Sequence, residues 1–337
     1  MTSLIISGSG FSIFNQIGAL QVLFSSMRPE FNKQIKHKLG PPFANYVGTS
    51  SGALLATLLT MEFDPFSIEE WFVSNYQMLN LLLTPNPNTI MTSGSLFNAE
   101  DITHFITSII QASPIYKRKF VNINPELITF KQLYDVTNRG LFINATNISD
   151  ERQYSPGTTT SPGRPEIFSA ITSPSVSVVS AIQASMSLLP LIPPTKIGDR
   201  YYLDGAYTAD FPLSLYERKS PTYYEKWYSK TLPIDPARSV GIWYIDPVFQ
   251  SKINYSEWNL SSLISSVANI ANFGILNQLE LFDARHKHKP IYTDIIYLSG
   301  SPVSAFPAAE KIPLLVKMGK DQTLNHVDAK KSSYKIF

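Results

Sequence analysis

The hydrophobic pattern is sharpest in the first sixty residues. Residues 3–8, "SLIISG", form a short apolar, β-branched run ended by glycine, which predicts a strand buried on both faces. After a glycine-containing loop, Ile17, Leu20, Val22 and Leu23 recur at roughly helical spacing in "QIGALQVLFSSM". Residues 43–48, "FANYVG", are a second buried-strand candidate, and they feed straight into the apolar, helix-prone "SSGALLATLLTM". Strand, tight loop and helix thus occur twice in succession. That order predicts βαβ units and a mainly parallel sheet covered by helices on both faces.

Further along, residues 66–83 carry apolar side chains at helical spacing, with Ser67 as N-cap and Glu69 and Glu70 in the first turn. Proline then interrupts the chain in "TPNPNT". A helix is predicted over 98–111, capped by Asn98 with Asp101 at the capping-box position. Residues 140–148 read as a strand, and 155–166, rich in Pro, Gly, Ser and Thr, as an exposed loop. A helix follows near 176–188. "SVGIWYID" and "TDIIYLSG" are later strands, and between them residues 256–285 form a long amphipathic stretch with Leu260, Leu263, Ile264, Val267 and Ile270 on one face. No repeat and no composition shift marks a boundary, so residues 1–337 read as one α/β domain.

Composition narrows the function classes. A chain of 337 residues with 44% hydrophobic content can build a large core. Its net charge of +2 and the lack of a dense basic run argue against nucleic-acid binding. The nearest such run, "IYKRKF" at 115–120, reads as a solvated helix end. With no cysteine, disulfides, thiolate catalysis and Cys-ligated zinc are excluded. No apolar run approaches the roughly 18 residues that span a bilayer, and the N-terminus lacks the basic region of a signal peptide. The expectation is a soluble protein, cytoplasmic or peripherally membrane-associated. No acidic cluster has calcium-loop spacing, so neither a cofactor nor a catalytic metal is expected.

The chemistry-bearing stretch is "YVGTSSGALLATLL", a G-x-S-x-G pattern with Gly48, Ser50 and Gly52 in the fixed places. Glycines flanking a serine between strand and helix permit a sharp turn that projects its hydroxyl. A serine needs a base and fixed oxyanion donors. "SGSGFS" at 7–12, between strand and helix, leaves backbone N–H groups around a concavity. It does not complete G-x-G-x-x-G, since Ile13 stands in the third place, and no G-K-[S/T] follows. As bases, His37, His104, His286, His288 and His326 sit in polar or surface-like contexts, though a Ser…Asp…His order remains formally open. Asp204, at the end of "RYYL" and before Gly205, is either an Asp-Gly turn or a displayed carboxylate whose pKa a dry pocket would raise.

Three ordered blocks resemble the patatin-like acyl hydrolases. "LIISGSGFSIFNQIGALQVL" is similar to that family's glycine-rich oxyanion loop and following helix, and "VGTSSGALLATLL" to its nucleophile elbow. "AIQASMSLLPLIPPTKIGDRYYLDGAYTADFPL" at 181–213 is similar to its Ala-Ser helix end and D-G-[A/G] aspartate motif. The motif-bearing core is 1–215; residues 216–337 match in general character only. The resemblance implies a three-layer α/β/α sandwich and a Ser–Asp dyad, with Ser50 as nucleophile and Asp204 as base. It also implies oxyanion donors at the amides of Ser9 and Gly10, with Ser51 assisting, and motif glycines at Gly8, Gly48, Gly52 and Gly205. The substrates implied are lipid acyl esters, phospholipids or neutral glycerides, reached by peripheral membrane contact. No protein activator is specified.

Three departures bear on activity. Ser9 replaces the middle of three glycines, Ser12 and Ile13 replace a cation and a glycine, and Asp210 replaces an asparagine two places before Pro212. An extra carboxylate there would raise the pKa of Asp204 if the two are close. The altered loop also leaves open a patatin fold that binds lipid or a partner without turnover, and the histidines leave open a Ser-His-Asp esterase. Residues 71–83 either pack as a core helix or supply an apolar rim or lid.

Overall fold

The computed structural model describes residues 3–34, 43–82, 84, 86, 88–90, 94–149, 163–216, 231–245, 294–300 and 307–334. The amphipathic stretch expected at 256–285 lies outside the described residues, as do His37, His286 and His288. The strands are β1 (Ser3–Ile6), β2 (Asn45–Thr49), β3 (Gly140–Asn147), β4 (Arg164–Phe168), β5 (Thr195–Ile197), β6 (Arg200–Asp204), β7 (Ser239–Ile245) and β8 (Asp294–Ser299). They form one mixed sheet, paired in the order β5-β6-β3-β2-β1-β7-β8, with β4 added against β3.

Five strands, β3, β2, β1, β7 and β8, run parallel, as the two early strand–helix repeats predict. The crossover from β1 to β2 carries α1 (Ile13–Gln34), and α2 (Ser51–Thr60) leaves β2 directly. The antiparallel pairings of β4 and β6 with β3, and of β5 with β6, make the sheet mixed rather than uniformly parallel.

Residues along the strands alternate between two apolar layers. Leu4, Ile6, Tyr46, Ile143, Ala145, Ile242 and Leu298 pack on one face with α1 and α2. Ile5, Val47, Phe142, Trp243 and Ile295 point to the other face, where Phe211, Leu213, Leu215, Tyr216, Leu232 and Ile234 cover them. Burying one such side chain contributes about 1.5–3 kcal/mol. A one-residue slip would exchange the two faces of a strand, so the alternation fixes register.

The pairing along β3 places the site. β3 residues 140–144 pair with β2, residues 145–147 with β6, and residues 143–147 with β4. One residue cannot form ladders with two strands on the same edge. β4 therefore takes one edge, while β2 and β6 share the other, meeting end to end where Thr49 pairs with Asn144 and Asp204 with Ala145.

Several sequence expectations are corrected. The helix expected over 66–83 is two, α3 (Pro65–Ser74) and α4 (Tyr76–Leu82), because the Asn75 side chain donates to Trp71 O at 2.8 Å and stops the first. Its N-cap is Asp64, not Ser67. Asp64 accepts from the amides of Phe66 and Ser67, and Pro65 occupies the first helical position, where its missing N–H costs nothing. Asn98 does cap α5 (Ala99–Ala112), but by accepting from Glu100 N. Of the loop expected over 155–166, residues 155–162 lie outside the described residues, and Arg164, Pro165 and Glu166 belong to β4 instead. In "IYKRKF", Lys117, Arg118 and Lys119 are exposed, but Tyr116 and Phe120 are buried in a π-helical turn. Further helices are α6 (Phe130–Thr137), closed by a Thr129–Gln132 capping box, α7 (Val178–Ser185), the single turn α8 (Ala206–Ala209) and α9 (Ile312–Tyr334), which packs along α1. Among the described residues no helix is long and apolar enough to cross a membrane.

Candidate active site

Ser50 occupies the turn between β2 and α2, with φ 54° and ψ −127°, a conformation rare for any residue but glycine. Such a conformation costs on the order of 1–3 kcal/mol and persists only when its surroundings hold it. Here they do. Its carbonyl accepts from Ala53 N at 2.9 Å, and its amide donates to Ser185 Oγ at 2.8 Å. Ser185 in turn donates to Asn144 O at 2.5 Å. Gly48 and Gly52 permit the close approach that the turn needs. A Cβ on Gly48 would lie 2.3 Å from Gly52 O, and one on Gly52 would lie 2.3 Å from Ser7 O.

Asp204 ends β6 and is buried. Its backbone is tied to the end of α7: Asp204 N donates to Ser187 O at 2.9 Å, and Gly205 N to Ser185 O at 3.3 Å. Its Oδ1 accepts from Ala206 N at 2.8 Å, and its Oδ2 accepts from Ser50 Oγ at 2.7 Å. Burial pushes the carboxyl up from 3.8 to about 7, partly offset by the hydrogen bonds from Ala206 and Ser50. A carboxyl poised near neutrality within hydrogen-bond reach of a hydroxyl has the geometry and affinity for proton transfer.

The loop after β1 lies beside this pair. The Ser9 amide donates to Ser51 Oγ at 3.0 Å. Ser9 Oγ donates to Gln16 Oε1 at 3.0 Å and lies 3.0 Å from Ser51 Oγ. Gln16 Nε2 donates to Ser7 O at 2.9 Å, which pins the start of the loop to α1. Gly10 is exposed, with φ +51°. The structure therefore brings Gly8, Ser9, Ser50, Ser51 and Asp204 together.

The described histidines contribute elsewhere. His104 is exposed on α5, and His326 Nε2 pairs with Asp294 Oδ1 at 2.9 Å. Among the described residues no group of three His, Cys, Asp or Glu stands at metal-binding spacing. Sequence reasoning missed Ser185, Asn144 and Gln16. Ser185 lies inside the third matching block, at its Ala-Ser pair, and that was the one available signal. Asn144, which also donates to Gly205 O at 3.1 Å and Ala209 O at 2.9 Å, gave none.

The patatin-like phospholipase family model matches residues 4–215. A viral relative, probable lipid hydrolase 463L of Invertebrate iridescent virus 6, is 23% identical over 218 residues, covering 63% of this chain. The chain matches only 62% of that relative's length. Among solved structures, VipD from Legionella pneumophila overlaps 97% of this chain and 67% of its own, with TM-score 0.47 and 14% identity. ExoU, in its complex with SpcU from Pseudomonas aeruginosa, overlaps 98% of this chain and 51% of its own, with TM-score 0.47 and 12% identity. Because the family model takes in well over half of the 337 residues, and does so across the glycine loop, the serine turn and the aspartate strand, the protein belongs to the patatin-like phospholipase family.

Proposed function

We propose that the protein is a lipid acyl hydrolase that cleaves carboxylic esters through a Ser50–Asp204 dyad. The observation that carries the reading is the 2.7 Å hydrogen bond from Ser50 Oγ to Asp204 Oδ2, made by a serine in a strained turn. Ser50 Oγ attacks the acyl carbonyl carbon while its proton passes to Asp204 Oδ2. The carbonyl oxygen becomes an oxyanion, held by the amides of Ser9 and Gly10 with that of Ser51 assisting, the Ser9 amide exchanging its bond to Ser51 Oγ for the oxyanion. The intermediate collapses, the ester C–O bond breaks, and the leaving alcohol takes the proton from Asp204. Water then attacks the acyl-enzyme, giving its proton to Asp204, and the fatty acid leaves as the proton returns to Ser50 Oγ.

Three things support this sequence of steps. Asp204 sits near neutral affinity, so it can both accept and return a proton at physiological pH. The loop that would supply donors abuts the serine, and family membership favours lipid esters as substrates. A phospholipid or glyceride substrate requires contact with a membrane or lipid surface. The test is fatty-acid release from phosphatidylcholine vesicles and from a short-chain nitrophenyl ester. Ser50→Ala and Asp204→Asn should each lose at least about a thousandfold in kcat/KM, and a fluorophosphonate should label wild type but not Ser50→Ala. Equal turnover by wild type and Ser50→Ala would reject the reading. Absence of both labelling and turnover in wild type would favour a fold that binds lipid without hydrolysing it.

A further inference from the structure

Asp210 directly follows α8 and is 2% exposed, the second buried carboxyl at the site. It takes the place where the resembling family commonly has an asparagine. Its Oδ1 lies against Gly8, and Phe211, the next residue, stacks on the Trp243 ring with centroids 4.7 Å apart. A Cβ placed on Gly8 would lie 2.6 Å from Asp210 Oδ1 on one side and 3.1 Å from Ser50 Cβ on the other. Gly8 is therefore pressed between the Asp210 carboxyl and the serine turn, and the neighbouring Phe211 packs this segment against β7 through Trp243.

We propose that Asp210 is a positioning residue: a carboxylic acid that stays neutral while Asp204 ionises, and that clamps Gly8 of the oxyanion loop against Ser50 as an amide side chain would. The proposal rests on the hydrolase reading above for its catalytic consequence, but not for the state of the acid.

The physical case has two parts. An ionised carboxylate in a closed space is costly, and a second one nearby is costlier, so one member of such a pair stays protonated. Burial is the leading cause that raises both groups, and the Asp204 charge is the second cause that raises Asp210. The polar groups of Gly8 and Trp243 nearby oppose these and do not overcome them. Asp204 ionises first because both its oxygens accept short hydrogen bonds, from Ala206 N at 2.8 Å and Ser50 Oγ at 2.7 Å, while Asp210 bears the added repulsion of the Asp204 charge. The other titrating group here is Tyr207, whose phenol is pushed up to about 12 by burial and then by Asp204, so it too stays neutral. A neutral Asp210 leaves the oxyanion loop free of a competing negative charge. An ionised one would place that charge against Gly8, next to the amides that must hold an oxyanion.

Two measurements test this. In the kcat/KM pH profile of wild type we expect an alkaline limb, where Asp210 ionises, in addition to the acid limb of Asp204. Asp210→Asn should rescue function to within about threefold of wild type and lose the alkaline limb, whereas Asp210→Leu should fall at least about tenfold. An alkaline limb that persists in Asp210→Asn, or an Asn variant as impaired as the Leu variant, would overturn the proposal. The second readout needs no turnover. Infrared spectroscopy at neutral pH should show the C=O stretch of a protonated buried carboxyl in Asp204→Asn, where Asp204 itself cannot contribute, and its loss in the Asp204→Asn/Asp210→Asn double variant. If the double variant does not fold, the band in Asp204→Asn alone decides. Its absence from Asp204→Asn would overturn the proposal whether or not any ester is hydrolysed, while failure of hydrolysis alone would overturn only the hydrolase reading.

Discussion

Thr49 and Asp204 pair with consecutive residues of β3, Asn144 and Ala145, so that β2 and β6 end face to face on one edge of the same strand. Ser50 is the next residue after Thr49. The 2.7 Å contact between Ser50 and Asp204 is thus set by the backbone ladder, not by long flexible side chains. Ser50 and Asp204 are 154 residues apart in sequence, and a single β-strand brings them together. A geometry fixed by ladder hydrogen bonds supplies the preorganisation that proton transfer requires.

The rate of acylation should follow the ionisation of Asp204. A base must be unprotonated, and its folded-state value lies at about 7. The fluorophosphonate labelling rate should therefore rise with pH through neutrality, dropping about tenfold for each unit below that value and levelling off above it until the alkaline effect of Asp210 begins. A labelling rate flat from pH 5 to 8 would contradict the assignment of Asp204 as base.

The same shift makes Asp204 a stability liability. Its folded value, about 7, lies above the unfolded 3.8, so between those values the folded state binds more protons. Stability contributed by this group is then greatest below about pH 4 and declines as pH rises towards 7, by ~2–4 kcal/mol in total. Asp204→Asn removes the ionisation. It should be more stable than wild type in urea at pH 8 by ~2–4 kcal/mol and differ little at pH 4. Equal stability at both pH values would mean that the carboxyl is not held in a dry environment.

Ser185 serves as a strut at the centre of the site. It receives the Ser50 amide and is itself anchored to Asn144 O, while its own carbonyl receives Gly205 N. Ser185→Ala would leave the Ser50 N–H and the Asn144 carbonyl without this bridge, a loss of about 1–3 kcal/mol. The strained φ of Ser50 would also lose a restraint. The expected outcome is kcat down by about tenfold with KM nearly unchanged, measured on a short-chain ester beside a urea titration of the same preparation.

Within residues 71–83 the structure separates core from surface. Phe72 and Leu79 are buried, whereas Leu81 is 79% exposed and Val73 is 42% exposed. The stretch therefore packs into the core on one side and exposes two apolar side chains on the other, with Leu83 outside the described residues. If this face meets lipid, Leu81→Glu should reduce co-sedimentation with phosphatidylcholine vesicles by about fivefold, since each side contributes roughly 1 kcal/mol to burial in the interface, and should leave hydrolysis of a soluble short-chain ester unaltered.

How much of this was legible in the chain depends on distance. The β1–α1 and β2–α2 units were readable because apolar runs there end in glycines that mark the turns. The split at Asn75 was not, because apolar spacing continues across it from Phe72 to Leu79 and only a side-chain bond to Trp71 O ends the helix. β4 was hidden because Pro165 lends its start the composition of a loop, while Ile167 and Phe168, both buried, supply the drive to pair with β3. Ser50 and Asp204 were legible as candidates through their motifs. Ser185 was not assigned a part, because a serine at a helix end has no meaning until a strand end 135 residues away is placed against it.

Gln16 tests the least regular part of the site, the loop that carries Ser9 in place of glycine. It is fully buried on α1, and its amide spans Ser7 O at 2.9 Å and Ser9 Oγ at 3.0 Å. The Ser9 side chain is therefore not an idle replacement. Through Gln16 and Ser51 it fixes a loop that three glycines would leave freer. Gln16→Leu keeps the volume but strips both bonds, leaves a buried carbonyl without this donor, and lets the Ser9 amide drift. It should cost about 1–3 kcal/mol of stability and slow fluorophosphonate labelling by about tenfold. Gln21, five residues along the same helix, is the control: it is equally buried but bonds Pro65 O and Glu69 Oε2 at 3.2 and 2.7 Å. Gln21→Leu should lose comparable stability and label at the wild-type rate. If both variants slow labelling alike, the effect is one of general destabilisation, and the Ser9–Gln16 pair has no part in holding the loop.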